Sequence, residues 1–188
     1  DMICVHNMKQ KAEELEATGI DVIAVHTGVD QQKTGRTPLG DLKELRQCCQ
    51  TASIAVAGGI TYDTLKEYIA EKPEILVVGG GIFKAENPVL ETKKIYSAIK
   101  NNKTQIVPSI LEADYSCLGD ELKKIEDGGA KMIHIDVMDG QFVPNLSLGL
   151  KEIQSIRSAT DLIFDVHLMI FDPEKFIDKM KNAGADRV

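Results

Sequence analysis

Met132-Ile133-His134-Ile135-Asp136-Val137-Met138-Asp139-Gly140-Gln141-Phe142-Val143-Pro144-Asn145 is the stretch around which the chain is organised. Its first seven residues alternate as a strand does, and the alternating positions hold His134, Asp136 and Met138. Side chains i and i+2 share one face of a strand, so an imidazole and a carboxylate point the same way. Such groups are costly to bury unless something binds or pairs them. The pattern returns at Asp165-Val166-His167-Leu168-Met169, where Asp165, His167 and Met169 alternate. Both strands carry groups that bind metals or move protons.

The chain has 188 residues and is 43% hydrophobic, enough to bury one sizeable core. No apolar run approaches the ~20 residues of a bilayer span, and the first residues do not read as a signal peptide. The net charge of −7 comes without a cluster of Lys and Arg, which disfavours nucleic acid or an anionic membrane as partner. Cys4, Cys48, Cys49 and Cys117 follow no metal-ligand spacing and read as reduced thiols of a cytoplasmic protein. Asp1-Met2-Ile3-Cys4-Val5-His6 opens inside a strand-like run, and Gly184-Ala185-Asp186-Arg187-Val188 stops where another begins. Both ends read as cut.

Strand-like runs occupy 2–6, 21–26, 53–57, 75–78, 105–110, 132–137 and 162–168. Between them run helical stripes: Leu42, Leu45 and Cys49; Leu65 and Ile69; Leu118, Leu122 and Ile125; Phe176, Met180 and Ala183. Asn87-Pro88 and Asp172-Pro173 mark helix starts, and Gly19, Gly128 and Gly184 mark left-handed ends. Strand and helix alternate with short connections, which predicts parallel βα units and a sheet covered by helices. Seven units with an eighth strand beginning point to an α/β fold of the (β/α)8 TIM-barrel type. No Gly-x-Gly-x-x-Gly or Walker sequence supports the open doubly wound alternative.

All four histidines, His6, His26, His134 and His167, fall at or near the C-terminal end of a predicted strand, where barrels keep their chemistry. A lone strand histidine is usually a satisfied core residue, and His6 reads that way; four of four is a stronger signal. Gly58 and Gly59 follow one strand and Gly79, Gly80 and Gly81 the next. Glycine lets backbone N–H groups close on an anion, and barrels often place phosphate after consecutive strands. Two tight turns are the bland alternative. Lys84 reads as a solvated surface charge.

With these motifs in hand, residues 1 to about 100 resemble the C-terminal half of 3-hexulose-6-phosphate synthases. The carriers are Asp1-Met2-Ile3, Val25-His26-Thr27-Gly28-Val29-Asp30-Gln31-Gln32, Ala55-Val56-Ala57-Gly58-Gly59-Ile60 and Val77-Val78-Gly79-Gly80-Gly81-Ile82. Residues 105–188 are similar to the N-terminal part of ribulose-phosphate 3-epimerases. There the carriers are Pro108-Ser109-Ile110-Leu111, Ala113-Asp114, His134 to Gly140, Phe142-Val143-Pro144-Asn145 and Asp165 to Met169. The glycine motifs are shared with keto-gulonate-phosphate decarboxylases, but those usually carry Arg where Val29 stands.

The resemblance implies two enzymes of pentose-phosphate and ribulose-monophosphate metabolism, joined at the polar stretch Lys100-Asn101-Asn102-Lys103-Thr104. The epimerase part would bind a divalent metal, Zn, Fe, Mn or Co, through His134, Asp136 and His167. Asp136 would double as an acid/base at C3 of the pentulose phosphate, Ser109 would touch the substrate, and Met138 and Met169 would wall the site. In the synthase part His26 would handle the proton of an enediolate, with phosphate on the glycine loops and no role assigned to Asp30. The Mg²⁺ expected there has its family ligands, including an Asp-x-Lys-x-x-Asp motif, outside this sequence, as are the second epimerase acid and fourth metal ligand. The resemblance implies sugar phosphates as partners and a possible homodimer, dimers being common in the resembled superfamily. Three arrangements stay open: one permuted hybrid barrel, two part-barrels awaiting strands, or a non-catalytic fragment that binds metal and phosphosugar.

Overall fold

In the computed structural model the described residues are 1–2, 5–28, 35 and 37–188. Runs rich in Val, Ile and Ala become parallel strands, since β-branched side chains pack well on a pleated, covered surface. Strands β1 (Val22–His26), β2 (Ser53–Ala57), β3 (Ile75–Val78) and β4 (Gln105–Pro108) form one sheet in that order. Strands β5 (Met132–Met138) and β6 (Ile163–Met169) pair in parallel in a second. Among the described residues the helices are α1 (Met8–Glu16), α2 (Pro38–Cys48), α3 (Leu65–Ala70), α4 (Gly80–Phe83), α5 (Pro88–Ile99), α6 (Leu118–Asp127), α7 (Leu150–Arg157) and α8 (Ile177–Ala183). The architecture is α/β of the TIM-barrel type, as the alternation predicts.

The chain divides into two compact units, residues 1–81 with 94–106, and residues 82–93 with 107–188. The first buries Ile23, Val25, Ile54, Val56, Leu42 and Leu45 at 1% exposure or less. Each such side chain contributes about 1.5–3 kcal/mol on leaving water. The second buries Ile133, Ile135, Phe164, Val166, Leu122 and Ile125. Residues 82–93 belong to it partly through Thr92, whose side chain fills the space a Cβ on Gly128 would need.

Several boundaries differ from the sequence reading. The strand at 105–110 ends at Pro108; Ser109 bridges His134, and Ile110–Glu112 turns as a 3₁₀-helix whose N-cap is the Ser109 hydroxyl. In α2, which ends at Cys48, it is Cys48 rather than Cys49 that joins Leu42 and Leu45 inside. In α3 it is Tyr68, not Ile69, that joins Leu65 inside. Gly128 is right-handed, and the left-handed residue is Gly129, at φ 104°. Asp172 is itself left-handed and opens a 3₁₀-turn, so α8 begins only at Ile177. Asn87 does cap α5, accepting from the Leu90 N–H at 3.0 Å.

At the chain ends, Met2 donates to the Ala24 carbonyl, adding a step beside β1, while Ile3 and Cys4 lie outside the described residues. Arg187 bridges Asp165 in parallel, so the run that begins there does pair with β6.

Candidate functional site

The parallel register of β5 and β6 sets His134 beside Asp165, Asp136 beside His167 and Met138 beside Met169. Alternation does the rest: the Ile133, Ile135 and Val137 side chains take the opposite face and are buried. Ser109, level with His134, closes the group from the end of β4. His134 sits third of seven in β5, earlier along its strand than the strand-end position the sequence suggested.

Asp136 is the hub. Its Oδ1 lies 3.3 Å from His134 Nε2 and 3.2 Å from His167 Nδ1, and its Oδ2 accepts the Ser109 hydroxyl at 2.9 Å. The other nitrogen of His134, Nδ1, lies 2.8 Å from Asp165 Oδ2. Only 6% of Asp136 is exposed. Burial alone would push its carboxyl up, but the hydrogen bonds from His134 and His167 hold it well below the usual carboxylate range. Burial also opposes charge on His134, yet the hydrogen bonds to Asp136 and Asp165 raise it to about 9.

One ligand atom each from His134, Asp136 and His167 falls within a sphere of mutual distances no greater than 4.8 Å. Two imidazoles and a carboxylate, with His134 further held by Asp165 and Asp136 by Ser109, form a donor set that fits a divalent transition metal. Met138 and Met169 continue the same face as an apolar wall, Met169 buried and Met138 half-buried. The loops beyond the strands are tied by Asp139, which accepts from Gln141 and Phe142 at 2.8 Å and from Phe171 at 2.9 Å. Ser147 accepts from the Met138 N–H at 2.9 Å and donates to the Asp136 carbonyl. The sequence reading assigned no role to Asp165, Asp139 or Ser147. Asp165 had a visible signal in its alternation with His167; Asp139-Gly140 carried only a turn signal; Ser147 had none.

The first unit gathers the other candidates. His26 ends β1, with Nδ1 3.3 Å from Asp1 Oδ2. Gly58, at φ 112°, comes so close to Thr27 that a Cβ would lie 2.4 Å from the Thr27 carbonyl oxygen. A Cβ on Gly81 would lie 2.4 Å from the Ile60 carbonyl oxygen. The Gly58-Gly59 loop therefore adjoins both the residue after His26 and the Gly79-Gly80-Gly81 turn that opens α4. Val29 and Asp30 lie outside the described residues. Lys84 is an exposed charge, paired with Glu112 at 2.7 Å. The described cysteines are free, and burial with the neighbouring Glu16 pushes Cys49 up to about 11, which makes it a poor nucleophile. No helix among the described residues is long and apolar enough to cross a membrane.

Comparisons with known proteins match two segments of the chain. Residues 1–95 match the Orotidine 5'-phosphate decarboxylase / HUMPS family and residues 105–188 the Ribulose-phosphate 3 epimerase family. A 3-hexulose-6-phosphate synthase of Staphylococcus epidermidis is 46% identical over 100 residues, 53% of this chain and 48% of that protein. A ribulose-phosphate 3-epimerase of Bacillus subtilis is 52% identical over 82 residues, 44% of this chain and 38% of that protein. The chain thus spans half or less of the length of each of these relatives. A crystallographic aldolase structure from Escherichia coli K12 covers 96% of the chain and 68% of its own, with TM-score 0.66 at 11% identity, a likeness of fold alone.

Proposed function

We infer the function from two premises: through residues 1–95 the chain belongs to the Orotidine 5'-phosphate decarboxylase / HUMPS family, and residues 105–188, matched to the Ribulose-phosphate 3 epimerase family, carry the His134–Asp136–His167 cluster. The chain is part of a sugar-phosphate enzyme. Its second part supplies the metal-binding side of a site that epimerises D-ribulose 5-phosphate to D-xylulose 5-phosphate at C3. The observation that carries this reading is the cluster itself, two imidazole nitrogens gathered with one oxygen of a buried carboxylate.

Asp136 is the acid/base of that site. Its ionised, buried carboxylate can take the C3 proton, while Ser109 holds Oδ2 and so orients the group. His134, Asp136 and His167 would hold a divalent cation, with Zn, Fe, Mn or Co suiting the donors, and such a cation would supply Lewis-acid stabilisation of developing negative charge. Met138 and Met169 exclude water from the face where the proton moves. Inversion requires a second acid on the opposite face of the carbon, and the cluster offers Asp136 alone.

The first part is read as one side of a site for aldol addition of formaldehyde to ribulose 5-phosphate. His26 handles the proton, and the backbone of Gly58, Gly59, Gly79, Gly80 and Gly81 receives the phosphate. The adjoining glycine loops support this reading. The whole is a fusion of the two activities, joined near residues 100–104. For the 188 residues by themselves, a cluster with Asp136 as its one carboxylate among the described residues favours metal and phosphosugar binding without net epimerisation.

Both reactions are assayed on the full-length protein with Mn²⁺, Fe²⁺ or Zn²⁺ for the epimerase and Mg²⁺ for the synthase. Loss of xylulose 5-phosphate formation in Asp136→Asn is the expected result. No epimerisation with any of these metals would overturn the second half of the reading, and no formaldehyde-dependent consumption of ribulose 5-phosphate the first.

A further inference from the structure

We propose that Asp165 is a positioning residue of the metal centre, fixing His134 with its proton on Nδ1 and its Nε2 lone pair turned toward the cation. This rests on the metal-binding reading above and adds a residue that reading does not use. His134 Nδ1 and Asp165 Oδ2 are 2.8 Å apart, the shorter of the two contacts His134 makes with carboxylates. The bond is built into the sheet, because the parallel register sets the two residues abreast. Asp165 is itself held on its far side, where the backbone of Arg187 bridges it.

The two nitrogens of His134 thus have different occupations. Nε2 faces Asp136 Oδ1 at 3.3 Å, inside the cluster, and Nδ1 faces Asp165 outside it. An imidazole that ligates through Nε2 must keep its proton on Nδ1, and a carboxylate there both selects that tautomer and makes Nε2 a better donor. The Asp165 side chain is 29% exposed against 6% for Asp136. The division of labour is then clear: the drier carboxylate joins the cluster, and the wetter one orients a ligand.

The test uses the full 188-residue chain with Zn²⁺, a diamagnetic probe. Wild type, Asp165→Asn and Asp165→Ala are titrated calorimetrically, with thermal melts of each metal-free protein alongside. The side-chain ¹⁵N–¹H spectrum of each zinc-loaded protein reports the His134 Nδ1 proton. Asp165→Ala is expected to bind zinc about 10–100-fold more weakly and to lose a slowly exchanging Nδ1 proton. Asp165→Asn, which retains an oxygen acceptor, should recover part of both. A lower melting temperature in Asp165→Ala with unchanged zinc affinity and an unchanged His134 signal would mean the pair only braces the strands, and the proposal falls. Failure of the wild type to bind zinc overturns instead the metal-centre reading on which the proposal stands.

Discussion

Ser109 and Asp136 share a 2.9 Å hydrogen bond between the residue that follows β4 and the middle of β5. Both are buried, at 6% exposure each, so water cannot replace the bond if it is lost. Ser109→Ala leaves one oxygen of a buried carboxylate short of a donor. The expected cost is about 1–3 kcal/mol of folding stability, the range for an unsatisfied buried polar group. Urea denaturation of the metal-free protein measures it. A change below about 0.5 kcal/mol would show that Asp136 does not depend on Ser109.

Asp136 also carries the partnership of two imidazoles, so removing its charge should damage metal binding as much as removing an imidazole ligand. Asp136→Asn and His167→Ala are each expected to lower zinc affinity more than about 100-fold, beyond what loss of an outer hydrogen bond does. His26→Ala, in the other unit and outside the cluster, should leave zinc affinity unchanged. Calorimetric titration of the three variants decides the matter. Equal zinc binding by wild type and Asp136→Asn would remove Asp136 from the ligand set.

The parts of the fold that were legible in sequence are those set by local pattern. β2 and β3 fall where the continuous apolar runs put them, because buried parallel strands need no polar face. What pattern could not show is register. Asp165 was visible as an alternating residue, but its place against His134 exists only once β5 and β6 pair. Ser109 was expected to touch substrate through a family resemblance, while the packing adds a bond to Asp136 that no spacing discloses. Two further misreadings are choices between adjacent residues. Gly128 and Gly129 are both glycine, and Thr92 packed against Gly128 is a tertiary fact. Cys48 and Cys49 both lie about two turns after Leu42, and the helix end chooses between them.

Glu16 gives a pH dependence with a definite sign. It ends α1 and accepts the backbone N–H groups of Gln50, Thr51 and Ala52 at 2.9, 2.6 and 2.8 Å, tying the helix to the turn before β2. The bonds from Ala52 and Thr51 hold its carboxyl at about 2, against an ordinary 4.5. A folded value below the unfolded one means the stabilisation is fully present above 4.5 and is lost as pH falls through about 2. Thermal melts of wild type and Glu16→Gln should therefore differ by a constant amount above about pH 5 and converge as pH drops toward 2. A gap that stayed constant down to about pH 2 would place the Glu16 carboxyl at its ordinary value.

Two glycines should respond to the same substitution in opposite directions. Gly40 lies in the first turn of α2, exposed, with nothing within 4 Å of a Cβ built there. Gly40→Ala lowers the entropy of the unfolded chain without strain and should stabilise by about 0.5–1 kcal/mol. At Gly81 the same methyl would sit 2.4 Å from the Ile60 carbonyl oxygen and 3.1 Å from the Thr61 Cα, both backbone atoms that cannot rotate away. Gly81→Ala must push the Gly58–Ile60 loop and the start of α4 apart, an overpacking cost of about 1–3 kcal/mol. If the two loops receive one phosphate, Gly81→Ala should also weaken binding of inorganic phosphate, whereas Gly40→Ala should not. Denaturation and phosphate titration of both variants separate the two claims. A destabilised Gly81→Ala with wild-type phosphate affinity would make the glycine pair a packing device alone.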